Sequence, residues 1–209
     1  MSQPVAPLPP PHASDPVPQP IPPNVPVGHG RIGRWMGRTA LRLTGWRIVG
    51  RLPNLAKLVM IVAPHSSNWD GFLGFAAKFA LGFEVKVLGK ASLFWWPLGP
   101  LLRHLGGIPL DRRQAQGTVG QAIKLIRDSD RLWYVLTPEG TRKRVEQWKA
   151  GFWKIAHGAG VPILPVYFDY PSRTIGVGEP FWPGQDMEAD IAAIRHWYRP
   201  WMGKNRGTV

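Results

Sequence analysis

The sequence contains no cysteine among its 209 residues. This absence excludes disulfide bonds, thiolate zinc sites and a cysteine nucleophile, because each of them needs a thiol side chain. Acidic residues are also few: 13 Asp and Glu stand against 26 Lys and Arg, which gives a formal net charge of +13. A positive field of this size favours anionic partners such as acidic lipids, phosphorylated substrates, acidic carrier proteins or nucleic acid.

Long apolar runs are missing as well. The best candidate, residues 91–102, is shorter than the roughly 18 residues that a membrane-spanning helix needs, and two prolines interrupt it. The N-terminal residues lack the basic segment and the continuous apolar segment of a signal peptide. We therefore expect a protein that stays in the cytosol and contacts membranes only peripherally.

Proline is abundant at the N-terminus, where residues 1–27 contain 11 prolines and no hydrophobic period. This composition favours extended polyproline II and cannot bury enough apolar surface to fold. We predict a disordered proline-rich tail over residues 1–30. The remaining residues, 31–209, are numerous and apolar enough to form a single domain with one sizeable core.

Residues 31–50 open this domain with basic residues and no acid. On a helix, the arginines at 31, 34, 38 and 42 share one face, and Ile32, Met36 and Leu43 share the adjoining face. One interpretation is a basic amphipathic segment that faces a lipid interface. The other is a surface helix that packs on the core while its arginines remain in water.

Strand-like and helix-like stretches alternate through the rest of the chain. Apolar, β-branched runs predict strands over residues 58–63, 84–88, 131–136 and 163–168. Helical spacing predicts helices over residues 71–81, 114–127, 150–158 and 187–198. This alternation indicates an α/β layer fold, in which loops at strand ends are the natural place for chemistry.

The stretch PHSSNWDG follows the first predicted strand and places His65 five residues before Asp70. On one continuous helix their side chains would point about 140° apart, so they can meet only if the chain turns between them. The intervening Ser-Ser-Asn favours a helix start, which would fold Asp70 back toward His65. Asp70 would then orient one imidazole nitrogen while the other removes a proton from a hydroxyl. The structural alternative is a capping box between Ser67 and Asp70, with a hydrogen-bonded turn histidine.

Basic residues follow two further predicted strands. Arg112 and Arg113 come after a glycine-rich turn and a short strand, and residues 138–144 combine Glu-Gly-Thr with three bases. Arginine presents a fixed fork of donors to phosphate oxygens, and glycine lets backbone amides approach them. Both clusters therefore suit a phosphate, although each one alone is also compatible with a solvated basic loop. Without a cysteine or a G-x-S-x-G motif, the nucleophile is expected to be a substrate hydroxyl.

In this order, the segments resemble the PlsC-type glycerolipid acyltransferases, the family that includes 1-acyl-sn-glycerol-3-phosphate acyltransferase. The H-x4-D motif of that family matches His65 to Asp70, and its G-x-[IV]-x-[IV]-x-R motif matches residues 106–112, with Leu110 where Ile or Val is usual. Its F-P-E-G-T-R-S motif matches residues 138–142, and V-P-[IV]-[IV]-P-[VI] matches residues 161–166. Departures at positions 109, 137 and 143 flank the acceptor site, so they concern the identity of the acceptor more than the reaction.

The resemblance implies an acyltransferase domain over residues 31–209, with a central mixed sheet flanked by helices. It implies that His65 deprotonates the acceptor hydroxyl, with Asp70 as its orienting partner, and that no acyl-enzyme forms. It assigns the acceptor's phosphate site to Arg112, Glu139, Gly140, Thr141 and Arg142. Pro165 would serve the donor site or its local shape. The resemblance implies no cofactor and no metal ion, because acyl-CoA or acyl-acyl-carrier protein is a co-substrate.

The expected function is acylation of a lysophospholipid, most simply 1-acyl-sn-glycerol 3-phosphate, on the cytoplasmic face of an anionic membrane. The aromatic stretch 94–98 suits an acyl chain or a lipid surface, although core packing also explains such runs. Other acceptors, such as a lyso-ornithine lipid or the lysolipid of a transacylation, stay open. A basic nucleic-acid-binding module is the alternative from another class, but it leaves the H-x4-D turn unexplained and no nucleic acid is expected.

Overall fold

The computed structural model describes residues 21–28, 30–110, 117–141 and 145–205. Its strands in chain order are β1 (Arg47–Val49), β2 (Lys57–Ala63), β3 (Lys86–Lys90), β4 (Gly107–Leu110), β5 (Leu132–Leu136), β6 (Ile163–Asp169) and β7 (Thr174–Val177). Its helices are α1 (Arg31–Thr44), α2 (Asn68–Leu81), α3 (Leu98–His104), α4 (Gly117–Asp128), α5 (Gly151–Ala159) and α6 (Met187–Tyr198), with a 3₁₀ turn at Ala91–Leu93.

The strands form one mixed sheet in the spatial order β1-β7-β6-β2-β5-β3-β4. All neighbouring strands are parallel except β6 and β7, which pair antiparallel. The central strands are buried on both faces, which explains why the sequence shows continuous apolar runs there rather than alternation. The predicted α/β architecture, with a central mixed sheet flanked by helices, is confirmed.

Helices cover both faces of this sheet. Alternate side chains of β2 divide between two cores, because successive residues of a strand point to opposite faces. Leu58 and Met60 pack with α1 and α2, whereas Val59 and Ile61 pack with α4, α5 and α6. The molecule is therefore layered, with the sheet between helices on both of its faces. On one face, α1 packs mainly on α2.

The topology brings three strand ends together. β6, β2 and β5 are adjacent and parallel, so their carboxyl ends lie at the same edge of the sheet. The chain leaves this edge at residue 63, at residue 136 and at residue 169. Residues that follow these strands are separated by up to a hundred positions in sequence but meet in space, where open α/β sheets usually bind ligands.

The predicted boundary of the proline-rich tail at residue 30 is too late in the chain. Val25 is fully buried, Val27 forms an isolated bridge with Phe83, and the Glu84 amide donates to the Pro26 carbonyl at 2.7 Å. Proline lacks an N–H but keeps its carbonyl acceptor, so this stretch is able to join the body of the domain. Residues 21–28 therefore belong to the fold, and residues 1–20 lie outside the described residues.

The predicted membrane-facing segment 31–50 also ends too late, because Ile48 and Val49 are buried in β1. Within α1 one face packs on the domain, as the second interpretation of the sequence expects, and the other face is exposed. The helix packs closely on α2 at Gly37, where an added Cβ would lie 2.3 Å from the Ala80 nitrogen. Its opposite face exposes four large apolar side chains: Ile32, Trp35, Met36 and Leu43.

The longer predicted elements correspond to β2, β3, β5, β6, α2, α4, α5 and α6, with shifted ends. β3 covers residues 86–90 rather than 84–88, and α2 begins at residue 68, three residues before the predicted start. β1, β7 and α3 were not predicted from the sequence. These have three, four and seven residues, which is too short for hydrophobic periodicity to be detected.

Candidate active site

The centre of the candidate site is the turn between β2 and α2, residues 64–70, hereafter called the catalytic turn after the role that the sequence predicts for it. Ser67 caps α2, and its Oγ accepts a hydrogen bond from the Trp69 amide at 3.1 Å. Asp70 lies in the first helical turn and reaches back, so that its Oδ2 lies 3.2 Å from Nδ1 of His65. The chain therefore turns as the sequence required, and Asp70 both completes a capping box and pairs with the histidine.

Asp70 is almost completely buried, and both of its oxygens accept hydrogen bonds. Oδ2 accepts from the Ser66 and Ser67 amides at 2.7 and 2.8 Å. Oδ1 accepts from the Tyr170 hydroxyl at 2.5 Å. Burial raises the pKa of Asp70, but the bonds from His65, Tyr170 and the two amides together hold it below its usual value. The group is therefore a carboxylate at neutral pH and can stabilise an imidazolium.

Glu139 supports the same turn from the loop after β5. Its carboxyl oxygens lie 2.9 and 3.1 Å from the His65 backbone nitrogen, which donates to them. The side chain is only 1% exposed, and burial, with a contribution from the charge on Asp70, raises its pKa to about 8. Glu139 thus lies against the main chain of His65 and is inaccessible to solvent.

The loop that carries Glu139 continues as a tight turn. The Gly140 amide donates to the Thr137 carbonyl at 3.2 Å, and Gly140 has a φ of +65°, which favours glycine. The Lys149 amide donates to the Pro138 carbonyl at 2.9 Å, and the Lys149 side chain lies across Gly140. A Cβ added to Gly140 would lie 2.9 Å from Nζ of Lys149. Half-buried Thr141 follows, so a glycine, a hydroxyl and an ammonium share this loop.

The structure does not describe all of the remaining residues that were predicted for the site. Arg112 and Arg142 lie outside the described residues. Pro165 is buried inside β6, close to Gly178 and Trp197, and shares the sheet face of Ile163 rather than that of the cavity. The structure therefore brings His65, Asp70 and Glu139 together and does not bring Pro165 to them.

A cavity of about 480 Å³ opens from the catalytic turn and runs between α2 and the sheet. Six neighbouring strands line it, in the spatial order β1, β7, β6, β2, β5 and β3. At the normal strand spacing these six strands span about 24 Å. Its lining is mainly aliphatic and aromatic and includes Met60, Val62, Leu81, Val87, Val166 and Phe168. Buried Lys78 also lines it, and its ammonium donates to the Leu105 carbonyl at 2.8 Å and to Glu84 at 3.3 Å. His65 and Asp70 therefore belong to the lining of a mainly apolar cavity.

Two parts of the site escaped the sequence analysis. Tyr170 follows β6 and contacts Asp70 from a hundred positions away. The C-terminal segment 201–205 crosses the catalytic turn, and Asn205 Nδ2 donates to the Ser66 carbonyl at 2.7 Å. Tyr170 could have been found by the rule that identified His65, because it too is a polar residue just after a buried strand. No pattern in the C-terminal segment predicts its contact.

A comparison with protein families decides the membership of the chain. The family model described as acyltransferase matches residues 47–169, which is more than half of the 209 residues. The chain belongs to the acyltransferase family. The matched range of this acyltransferase includes the catalytic turn, the Glu139 loop and β6, and it ends one residue before Tyr170.

Relatives of this acyltransferase carry a more specific description. The chain is 32% identical over 151 residues to the 1-acyl-sn-glycerol-3-phosphate acyltransferase of Haemophilus influenzae, covering 68% of this chain and 61% of the relative. It is 30% identical over 165 residues to the protein of the same name from Escherichia coli, covering 74% and 65%. The chain thus spans less than two thirds of the length of these relatives.

The fold of this acyltransferase also has a solved counterpart. The 1-acyl-sn-glycerophosphate acyltransferase PlsC from Thermotoga maritima superimposes with a TM-score of 0.58 at 19% identity, covering 79% of this chain and 75% of that chain. The predicted resemblance to the PlsC-type family and the predicted fold are confirmed. None of the helices in the described part of this acyltransferase is long and apolar enough to cross a membrane.

Proposed function

We propose that this acyltransferase moves a fatty acyl group from acyl-CoA or acyl-acyl-carrier protein to the hydroxyl of 1-acyl-sn-glycerol 3-phosphate, giving phosphatidic acid. The observation that carries the proposal is the His65–Asp70 pair in the lining of a mainly apolar cavity of about 480 Å³. A general base beside space for an acyl chain is what direct transfer to a hydroxyl requires. The description of the relatives supplies the acceptor.

In the proposed reaction, Asp70 accepts a hydrogen bond from the Nδ1–H group of His65, which keeps the proton on Nδ1 and leaves Nε2 as the base. Nε2 takes the proton of the acceptor hydroxyl while its oxygen attacks the thioester carbonyl. The tetrahedral intermediate collapses, the C–S bond breaks, and the imidazolium returns its proton to the leaving thiolate. Asp70 stays ionised throughout and stabilises the imidazolium. The reaction needs no cofactor and no acyl-enzyme.

The cavity is proposed as the site of the acyl chain. Its lining between α2 and the sheet is mainly apolar, and burying each methylene in such surroundings contributes about 0.8 kcal/mol. The thioester would then lie at the cavity mouth beside His65. The acyl chain would pass Gly74, which lines the cavity and whose missing side chain leaves space next to Phe168.

The loop after Glu139 is proposed to bind the phosphate of the acceptor. Thr141 would offer a hydroxyl, Arg112 and Arg142 would offer guanidinium groups, and Gly140 has no side chain that would crowd them. The ammonium of Lys149, which lies across Gly140, favours the same anion. Glu139 takes a different part in this proposal, because it is buried against the His65 amide and would repel a phosphate if it approached one as a carboxylate.

The enzyme is proposed to work as a peripheral protein on the cytoplasmic face of an anionic membrane. The exposed apolar face of α1 is flanked by its arginines, and Trp95 and Trp96 are also exposed, at 59% and 82%. Apolar side chains bordered by cations suit a lipid interface. The net charge of +13 supports this, since each base near an anionic surface contributes about 1 kcal/mol.

The reaction is tested by thiol release from oleoyl-CoA on anionic liposomes, with and without 1-acyl-sn-glycerol 3-phosphate. We expect release that depends on the acceptor and falls by about 10²- to 10⁴-fold in His65→Ala, the usual contribution of a general base. His196, which is exposed on α6, provides the matched control, and His196→Ala should retain activity. Near-normal release by His65→Ala would refute the mechanism. Release with a lyso-ornithine lipid but not with 1-acyl-sn-glycerol 3-phosphate would refute the proposed acceptor.

The membrane surface is tested by flotation with anionic liposomes. Trp35 and Leu43 are 67% and 84% exposed on α1, and changing both to serine should reduce co-flotation without lowering the thermal midpoint. Trp182→Ser removes a side chain of similar exposure, 62%, that lies outside α1 and serves as the control. Equal flotation of the double variant and the wild type would exclude α1 from the membrane contact.

A further inference from the structure

Tyr170 makes a contact with the catalytic pair for which the proposed reaction has no role. Its hydroxyl donates to Oδ1 of Asp70 at 2.5 Å, whereas His65 Nδ1 and two backbone amides contact Oδ2. The two carboxylate oxygens therefore have separate partners. With Oδ1 held by the phenol, the carboxylate cannot rotate without breaking a charge-assisted hydrogen bond.

The phenol itself is held by its surroundings. The ring of Tyr170 meets the ring of Trp46 edge-to-face, with centroids 4.9 Å apart, and its backbone amide donates to the Met202 carbonyl at 2.9 Å. The Met202 amide in turn donates to Asp169 at 3.0 Å. Tyr170 is thus held in place by Trp46 and by the C-terminal segment, which is itself bonded to Asp169 at the end of β6.

The energetics point the same way. Burial raises the pKa of Tyr170, and the neighbouring Asp70 raises it further, so the phenol is a neutral donor at any working pH. Its bond contributes to the lowered pKa of Asp70, against a burial that acts in the opposite direction. In the described residues, the titratable groups that face Asp70 are His65, Glu139 and Tyr170.

We infer that Tyr170 is a positioning residue, which donates to Asp70 and holds the carboxylate in the orientation that pairs with His65. The fall in kcat that it predicts rests on the proposed function, whereas the orientation of the Asp70 carboxylate by Tyr170 does not. The inference predicts that the loss of one oxygen, in Tyr170→Phe, lowers kcat by about tenfold, the order expected for a hydrogen bond to a charged group. The KM values for donor and acceptor stay unchanged, because the phenol binds no substrate.

The kinetic test compares Tyr170→Phe in the wild-type and Asp70→Asn backgrounds by thiol release from oleoyl-CoA. If the phenol acts only through Asp70, its removal has no further effect once the carboxylate is gone. Tyr198→Phe is the matched control, since this buried tyrosine bonds the Ile61 and Val166 carbonyls. Tyr198→Phe should be less stable than the wild type, but its kcat should stay within twofold of the wild-type value.

A second readout is independent of turnover. The carboxyl ¹³C signal of Asp70, in aspartate-labelled protein and assigned by Asp70→Asn, should titrate at higher pH in Tyr170→Phe and at the wild-type pH in Tyr198→Phe. Unchanged kcat together with an unmoved titration would overturn the inference. A wild type that does not turn over any acyl donor, with a moved titration, would instead overturn the proposed function and leave the role of Tyr170 in place.

Discussion

Changing Glu139 to glutamine should remove a pH dependence of stability that one buried carboxyl creates. The folded protein holds the Glu139 proton up to a pKa of about 8, whereas the ordinary value is 4.5. Since the folded state binds this proton more tightly, the contribution of Glu139 to stability is largest below pH 4.5. It falls as the pH rises from about 4.5 to about 8, and Glu139 adds no further change above that.

The magnitude follows from the two pKa values. Their difference corresponds to at most about 5 kcal/mol between the two ends of the pH window. In the glutamine variant this part of the slope disappears, while the side-chain oxygen still accepts the His65 amide. In Glu139→Ala the buried amide loses its acceptor, which costs about 1 to 3 kcal/mol at any pH.

The assay is urea unfolding between pH 5 and pH 8.5, comparing the wild type with Glu139→Gln. Glu146→Gln serves as the control, because Glu146 is exposed and its loss should leave the wild-type slope in place. The difference between two curves isolates Glu139 from the histidines that titrate in the same range. A slope in Glu139→Gln equal to that of the wild type would refute the reasoning that this carboxyl is held protonated by burial.

Three further changes test other parts of the molecule. Gly74→Leu should fill the cavity and shift acyl-chain preference toward shorter donors by about tenfold or more, measured by competing thioesters, while Gly151→Leu on α5 should not. Asn205→Ala should lower the free energy of unfolding by about 1 kcal/mol and reduce kcat, because its amide no longer holds the catalytic turn. Gly37→Ala should cost about 1 to 3 kcal/mol in urea unfolding by forcing α1 from α2, while Gly30→Ala, which meets open space, should not.

Each of these has an outcome that contradicts it. An unchanged chain-length profile in Gly74→Leu would mean that the acyl chain lies elsewhere. A loss of stability without any loss of kcat in Asn205→Ala would limit the C-terminal segment to a structural role. Equal stability of Gly37→Ala and the wild type would show that α1 moves away from α2 at no cost.

Several features could be predicted because they depend on near neighbours in the chain. The continuous apolar run before His65 identified a strand buried on both faces, and the Ser-Ser-Asn after it identified the start of α2. With a five-residue separation, a turn at this point was enough to bring Asp70 to His65. The Glu139 loop was identified by the same rule, that chemistry follows the ends of buried strands, whereas the loop with Arg112 lies outside the described residues.

Other features could not be predicted because sequence patterns contain no distances between separate segments. Glu139 lies three residues before a run of three bases, which favours a phosphate site, yet the sheet places its carboxyl against the His65 amide. Pro165 belongs to a matched motif, but its position in β6 directs it to the face opposite the cavity. Residues 21–28 looked too rich in proline to fold, although Val25 fills the core.

By itself the sequence determined the alternation of strands and helices, the strongly basic surface and the geometry of the His65–Asp70 turn, because each of these arises from residues a few positions apart. Only the tertiary structure decided that Tyr170 and Asn205 meet that turn, and that an apolar cavity opens beside it. The reason is the strand order: β2 lies between β6 and β5, so their carboxyl ends converge at one edge of the sheet. Strand order depends on long-range packing, which no local pattern records.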